Sequence, residues 1–278
     1  MPRKKTFWLI GIMAIVMPLQ AIMVANPADE TPFERFGTSL EVDFEKWKLR
    51  YNVGPDYEVT SQRGLIKPSL GIFRYVEGYG LIGFADLNIP SGSRAISDFN
   101  GSKEMAFGLG VKTHFAVYYP DLSCKNDYSH PIKLCADATW LTTKSLAVVD
   151  YATGLLRYED SYRFQQFDLN LYGSWELGRT VPYLGVKWVY MVGRKYRRAY
   201  QTGSETPFQV ISGYFNYPGE IPKPVIGLDI GLGKGYYLSF EATYMGKSET
   251  SIGIGLSQLY VPNREEDTPE QTIEKPED

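Results

Sequence analysis

A two-residue alternation of apolar and polar side chains recurs along this chain from about Leu40 to Tyr260. In the clearest copy, over residues 238–244, the letters LSFEATY alternate an apolar or aromatic residue with a small, polar or charged one. Successive side chains leave a β-strand on opposite faces, so a period of two predicts strands. The copies alternate with turn-rich gaps, and the pattern therefore predicts one large antiparallel β-barrel with an apolar face and a polar face.

The N-terminus has the parts of a secretory signal. A basic segment over residues 3–5 precedes an apolar core over residues 7–17, and Ala21 and Ala25 are candidate cleavage sites. An uncleaved anchor is the alternative, although the core is shorter than the about 20 residues of a membrane-spanning helix. Charge or glycine interrupts every later apolar stretch, so we expect this chain to enter a membrane only as a closed barrel.

Ten strands follow from the alternation and from the turn signals between its copies. The pairs Glu77-Gly78, Gly178-Arg179 and Lys234-Gly235 predict tight hairpins, and a phase slip near Glu45 and Lys46 predicts a β-bulge. The predicted strands are 39–51, 65–76, 79–89, 105–118, 134–149, 163–177, 182–193, 225–233, 236–245 and 250–261. The predicted domains are a signal peptide (1–25), a periplasmic lead-in (26–38), the transmembrane barrel (39–261) and an acidic disordered tail (262–278).

The connections differ between the two ends of the predicted barrel. Short turns follow strands two, six and eight, and longer segments follow strands one, three, five and seven, the longest over residues 194–224. Outer-membrane barrels have short periplasmic turns and longer external loops, which predicts that both termini are periplasmic. Two connections depart from this rule, because 120–133 is long and 246–249 is short.

The polar face of the predicted strands carries too many charges for a dry core, so we assign it to the lumen. Glycines on the same face favour a crowded lumen; they are Gly108, Gly110, Gly185, Gly227 and Gly231. The alternation is symmetric, and a soluble barrel with an apolar interior stays open as the alternative. The predicted lumen residues are Glu41, Asp43, Lys112, His114, Asp137, Asp168, Asn170, Glu176, Lys187, Asp229 and Glu241. The predicted lipid-facing residues include Phe107, Leu109, Val111, Phe115, Phe167, Leu169, Leu171, Trp175, Leu184, Val186, Trp188, Tyr190, Ile226, Leu228, Ile230, Ile252, Ile254 and Leu256.

Four segments carry a family resemblance. YGLIGFADL at 79–87, FGLGVK at 107–112, PYLGVK at 182–187 and SIGIGL at 251–256 resemble strands of bacterial outer-membrane β-barrel proteins of the OmpA-like or porin-like group. The resemblance covers most of residues 39–261 and implies an outer-membrane location in a diderm bacterium. It implies outer-membrane lipid, lipopolysaccharide and the barrel-assembly machinery as partners. Such barrels commonly end on an aromatic residue, whereas here Tyr260 is followed by the acidic tail.

The cysteines and histidines offer few candidates for chemistry. Cys124 and Cys135 lie close together in an exported chain, which predicts a disulfide. His114 and His130 are the only histidines, and neither has a convincing arrangement with a serine and a carboxylate at a predicted barrel rim. The GLGKG segment at 231–235 lacks a phosphate loop's helix and is better interpreted as a hairpin. We expect no enzyme activity, no cofactor and no metal site.

A cationic and aromatic segment begins the longest predicted loop. It predicts contact with anionic lipopolysaccharide or attraction of anionic solutes, while a merely solvated loop is the alternative. The formal charge of the whole chain is −3, which does not favour nucleic-acid binding. The segment contains Arg194, Lys195, Arg197 and Arg198.

These observations predict a non-enzymatic outer-membrane barrel with a structural or surface-binding role and at most a narrow channel. A porin for small solutes is the first alternative, with selectivity set by lumen residues. The sequence also leaves open an outer-membrane lipid-modifying enzyme that uses His114, such as a hydrolase or acyltransferase, and a soluble periplasmic ligand-binding barrel. The residues proposed to set selectivity are Lys112, His114, Asp137, Asp168, Lys187, Asp229 and Glu241.

Overall fold

The computed structural model describes residues 36–51, 57–73, 75–89, 99–118, 131–150, 156–217, 222–246 and 249–259. The predicted signal peptide, nearly all of the lead-in and the acidic tail lie outside these residues. Within them, no helix is long and apolar enough to span a membrane. The strands are β1 (Phe36–Tyr51), β2 (Tyr57–Phe73), β3 (Val76–Ala85), β4 (Asn88–Ile89), β5 (Phe99–Asn100), β6 (Glu104–Tyr118), β7 (Ile132–Asp150), β8 (Leu156–Trp175), β9 (Thr180–Gln201), β10 (Gln209–Tyr217), β11 (Lys223–Gly233), β12 (Tyr236–Gly246) and β13 (Glu249–Leu259).

Ten of these strands close into a ring. Their order is β1-β2-β3-β6-β7-β8-β9-β11-β12-β13, and β1 closes the ring by pairing with both β2 and β13. Every pairing is antiparallel. Closure leaves no unpaired strand edge around the ring, which is what a sheet in lipid requires. The prediction of an antiparallel barrel of about ten strands is confirmed.

The two ends of the barrel are distinct. The β2–β3, β8–β9 and β11–β12 hairpins and the start of β1 lie at one end, which we call the turn end, and the opposite end is the loop end. Gly178, with φ of 63°, belongs to the predicted β8–β9 turn. Lys234 and Gly235, with φ of 55° and 76°, form the predicted β11–β12 turn. Two positive φ values in succession match the hairpin type that follows the right-handed twist of the strands.

The wall of the barrel is uneven in height. β7, β8 and β9 have 19, 20 and 22 residues, whereas β11, β12 and β13 have 11 each. At the loop end, β10 fills the gap above the short strands, because it pairs with β9 along its length and with β1 at Arg50 and Tyr51. The segment 194–224, predicted as a loop, is therefore largely strand.

Two local predictions near the start of the barrel are wrong. β1 pairs with β2 in continuous register from Phe36 to Leu49, so the predicted bulge near Glu45 is absent. The apparent phase slip arises because the inward face changes from charged Glu45 to aromatic Trp47. The β2–β3 hairpin lies before Val76 and not at Glu77-Gly78, which places Glu77 inside the barrel.

Candidate functional site

The lumen contains most of the charged residues that the sequence predicted for it. Lys112, Asp137, Asp168, Lys187, Asp229 and Glu241 are all buried inside the ring, together with Glu41, Asp43 and Asn170. Period-two geometry aims these side chains inward from the strands of the ring. His114 is the exception among the selectivity residues. It is half-buried near the turn end, where its ring packs edge-on against Tyr75 at 4.8 Å.

A chain of polar contacts crosses the centre of the lumen. Arg63 of β2 donates to Glu45 of β1 at 2.6 Å and to Gln166 of β8 at 2.7 Å. Gln166 donates in turn to Asp168 at 2.9 Å, and Lys187 of β9 lies 3.6 Å from Asp168. Because β1 and β8 are diametrically opposite in the ring, this network joins opposite walls by direct contact.

An apolar layer lies between this network and the loop end. Trp47 of β1 meets Phe164 of β8 edge to face, with ring centroids 6.3 Å apart, so opposite walls touch here too. The β3–β6 connection contributes residues that fold inward, and Phe99 packs on Tyr162 at 4.7 Å. The buried layer consists of Trp47, Val59, Leu87, Ile89, Phe99, Tyr162, Phe164, Val189, Met191 and Phe215.

Two tyrosines lie across glycines of the neighbouring strand. Tyr79 pairs with Gly110, and Tyr183 pairs with Gly227. A Cβ at Gly110 would lie 2.2 Å from the Tyr79 ring, and one at Gly227 would lie 2.0 Å from the Tyr183 ring. The glycines therefore make room for rings that donate hydrogen bonds to lumen carboxylates. Tyr79 reaches Asp137 at 2.8 Å, and Tyr183 reaches Glu241 at 3.1 Å.

The outer surface has the opposite character. The predicted lipid-facing side chains all point outward, and most are strongly exposed, with Leu109, Leu184 and Ile226 each above 60 %. Aromatic residues flank this apolar surface at the turn end, including Tyr118, Trp175 and Tyr236. A barrel with an apolar outside and a charged inside is stable only in lipid. The chain folds as a membrane-spanning β-barrel of the type found in outer membranes.

Comparisons by fold find other barrels of this kind. An outer membrane channel from Pseudomonas putida F1 overlaps with a TM-score of 0.41 at 8 % identity, over 86 % of this chain and 100 % of that one. The translocator domain of autotransporter NalP from Neisseria meningitidis overlaps with a TM-score of 0.42 at 8 % identity, over 92 % of this chain and 97 % of that one. No family model and no curated protein matches the sequence.

The four predicted loop cations lie on β9, and the structure separates them. Lys195 and Arg197 contact Asp160 of β8, with Arg197 donating two bonds of 2.7 and 2.6 Å. Arg198 pairs with Glu159 on the outer side at 3.2 Å. Burial by itself raises the pKa of Asp160, but the bonds from Arg197 and the charge of Lys195 outweigh it and lower that pKa. The fourth cation, Arg194, is exposed on the outer surface.

The predicted disulfide falls partly outside the described residues. Cys135 is buried on the lumen side as a free thiol, while Cys124 and His130 lie in the part of the chain that is not described. The structure therefore does not confirm the predicted disulfide. Within the described ranges, no group of three or more histidine, cysteine or acidic side chains is arranged to hold a metal ion.

Sequence reasoning missed several members of the central network. Arg63 was overlooked because the second strand was predicted to start at 65, and Lys67 was not assigned to the lumen although it lies inside that predicted strand. Every second residue from 61 to 69 is buried, which places both cations on the inward face. Glu45 was not assigned to the lumen because a bulge was predicted there, and Glu77 was not assigned to it because a turn was predicted there. Gln166 is one position from a predicted lipid-facing residue, and its alternation with Phe167 was a signal that could have found it.

Proposed function

We propose that this barrel is a non-enzymatic structural or surface-binding protein of the outer membrane whose lumen is sealed against free diffusion. The observation that carries the proposal is the hydrogen bond of 2.7 Å from Arg63 to Gln166, which joins opposite sides of the ring. An open porin needs a water-filled passage. Direct contact between opposite walls obstructs such a passage at this level.

The apolar layer between the central network and the loop end supports the same proposal, because it obstructs the lumen at a second level. Among the described residues, the buried layer around Trp47 and Phe164 is built from apolar and aromatic side chains, so a hydrated ion would have to shed water to cross it. Hydrophobic constrictions close channels in this way. A solute entering from the loop end would meet this layer before it reached the charged network.

The proposed partners follow from the membrane setting. The loop end would face the outside of the cell, because short turns are periplasmic in bacterial barrels. The outer surface near that end would then contact lipopolysaccharide, and the chain would reach the membrane through the barrel-assembly machinery. The described strands and closed ring are the kind of substrate that such assembly requires.

The absence of enzyme activity is part of the proposal. His114 is the obvious candidate base, yet it packs on Tyr75 at the turn end, away from the central charges. Exchanging His114 for alanine should leave the lipid profile of the outer membrane unchanged. A reproducible change in acyl chains or headgroups in that variant, at equal barrel abundance, would contradict the proposal.

Planar-bilayer recording tests the seal directly. The refolded barrel, verified by a gel mobility that shifts only on boiling, should give no stable conductance steps under conditions in which an open porin conducts. The variant Trp47→Ala/Phe164→Ala removes the aromatic contact across the lumen and should conduct intermittently. Stable, large steps from the unmodified protein would overturn the sealed-barrel proposal.

A narrow cation channel is the second candidate. Among the described residues of the central lumen, eight buried carboxylates face four buried cations, namely Glu41, Asp43, Glu45, Glu77, Asp137, Asp168, Asp229 and Glu241 against Arg63, Lys67, Lys112 and Lys187. An acidic lumen favours cations. If small currents are found, Glu241→Gln should lower the cation preference and Lys187→Gln should raise it. Currents whose selectivity neither change alters would count against this candidate.

A further inference from the structure

Three cations form a row on the outer surface near the loop end. Lys144 of β7 is directly opposite Arg163 of β8, and Arg163 is directly opposite Arg194 of β9. All three alternate with inward residues and therefore point away from the lumen, with both arginines exposed. Tyr214 of β10 completes the row, with the Arg194 guanidinium 4.4 Å from its ring centre. We call these three cations the basic row.

The basic row lacks the charge pairing seen beside it. Further along the same strands, Asp160 lies opposite Arg197, and next to that pair Glu159 lies opposite Arg198, each bonded to its partner. Within the described part of the chain, no ion pair joins a cation of the basic row to a carboxylate. Like charges directly opposite on neighbouring strands destabilise a sheet. An external anion would remove that cost.

The basic row lies at the level of lipid headgroups. Closer to the turn end, Trp140, Phe167 and Tyr190 form an aromatic row across the same three strands. Trp175 belongs to the aromatic residues that flank the apolar surface at the turn end. From the rise per residue and the tilt of barrel strands, Arg163 lies about 30 Å from Trp175 along the membrane normal, which is just beyond an apolar band about 25 Å tall. Cations at this depth face phosphates instead of acyl chains.

The surface around the basic row is concave. A depression of about 590 Å³ is lined by Arg163, Gln165, Arg194, Tyr196 and Tyr214, and Arg194 contacts the Tyr196 hydroxyl at 3.5 Å. A second depression of about 550 Å³ lies nearer the turn end, where Ala138 is surrounded by larger side chains. The second depression is mainly apolar, because Leu109, Trp140 and Trp188 contribute to its lining.

We propose that the basic row binds the phosphates of a multiply phosphorylated glycolipid headgroup in the outer leaflet, with an acyl chain in the apolar depression beside Ala138. Three adjacent cations call for more negative charge than one phosphodiester carries. Arginine suits this role because its planar guanidinium forms paired bonds with phosphate oxygens. This inference rests on the proposed orientation of the loop end toward the outside of the cell, and it names the site of lipid contact.

Lipid titration of the refolded full-length barrel in detergent tests the site. Native mass spectrometry would count bound diphosphorylated lipid A, with phosphatidylglycerol as the singly charged comparison. The variant Arg163→Gln/Arg194→Gln should bind diphosphorylated lipid A about tenfold more weakly or worse, because each lost charged bond is strong. The matched control Arg179→Gln/Lys234→Asn removes two exposed cations at the turn end and should bind like the unmodified barrel. Added salt should weaken binding to the unmodified barrel.

The outcomes separate this inference from the proposed function. Equal affinity of the Arg163→Gln/Arg194→Gln variant and the control would overturn the lipid site. Equal binding of phosphatidylglycerol and diphosphorylated lipid A would also overturn it, because the basic row would then not select multiple phosphates. Bilayer recording on the same sample reports on the seal independently. A silent, heat-modifiable barrel without lipid preference refutes only the lipid site.

Discussion

Replacing Arg63 with methionine tests whether the cross-lumen network holds the barrel together. Arg63 donates to Glu45 at 2.6 Å and to Gln166 at 2.7 Å. The side chains of Arg63 and Glu45 are 0 % and 2 % exposed, so bulk water screens the pair little. Removing one member of a buried pair leaves the other charge uncompensated, which costs about 3–5 kcal/mol. We expect Arg63→Met to lower the free energy of unfolding by that amount.

The assay is urea unfolding of the barrel in lipid vesicles, followed by tryptophan emission. Lys46→Met is the matched control, because the side chains of Lys46 and Glu58, which form an ion pair, are each about 40 % exposed. Exposed ion pairs contribute about 1 kcal/mol or less to the free energy of unfolding. The double variant Glu45→Gln/Arg63→Met should recover part of the loss, since position 45 then no longer carries a buried charge that has lost its partner. An Arg63→Met barrel as stable as the Lys46→Met barrel would refute the reasoning.

Two further predictions concern the lumen glycines and the loop end. Gly227→Ala puts a methyl group against the Tyr183 ring and should destabilise the barrel by about 1–3 kcal/mol, whereas Gly64→Ala, with no neighbour within 4 Å, should be neutral in the same urea titration. Asp160 has a lowered pKa, so its bonds with Arg197 stabilise the loop end above the ordinary pKa of about 4 and are lost as pH falls below it. Proteolysis of the loop end should therefore accelerate in acid for the unmodified barrel. An Asp160→Asn variant with the same acid dependence of proteolysis would contradict the role given to Asp160.

The accuracy of the sequence predictions varied with how local the signal was. Hairpins at Gly178 and Lys234 were correct because positive φ values favour particular residues, and these signals act over a few positions. The bulge near Glu45 was wrong, because a change from charged to aromatic residues on one inward face looked like a change of phase. The turn at Glu77-Gly78 was wrong, because the glycine there lies within β3 and not in a hairpin. β10 was missed because its role depends on filling the space above three short strands, which no local pattern reports.

The sequence alone determined a ten-strand antiparallel barrel with two chemically distinct faces, because a period of two is a local property of extended backbone. Only the tertiary structure decided which face meets lipid, since alternation is symmetric under exchange of inside and outside. The seal across the lumen was also a tertiary result. Arg63 and Gln166 are 103 positions apart, and only closure of the ring brings them within hydrogen-bond distance. The basic row likewise depends on register, which aligns Lys144, Arg163 and Arg194 across three strands.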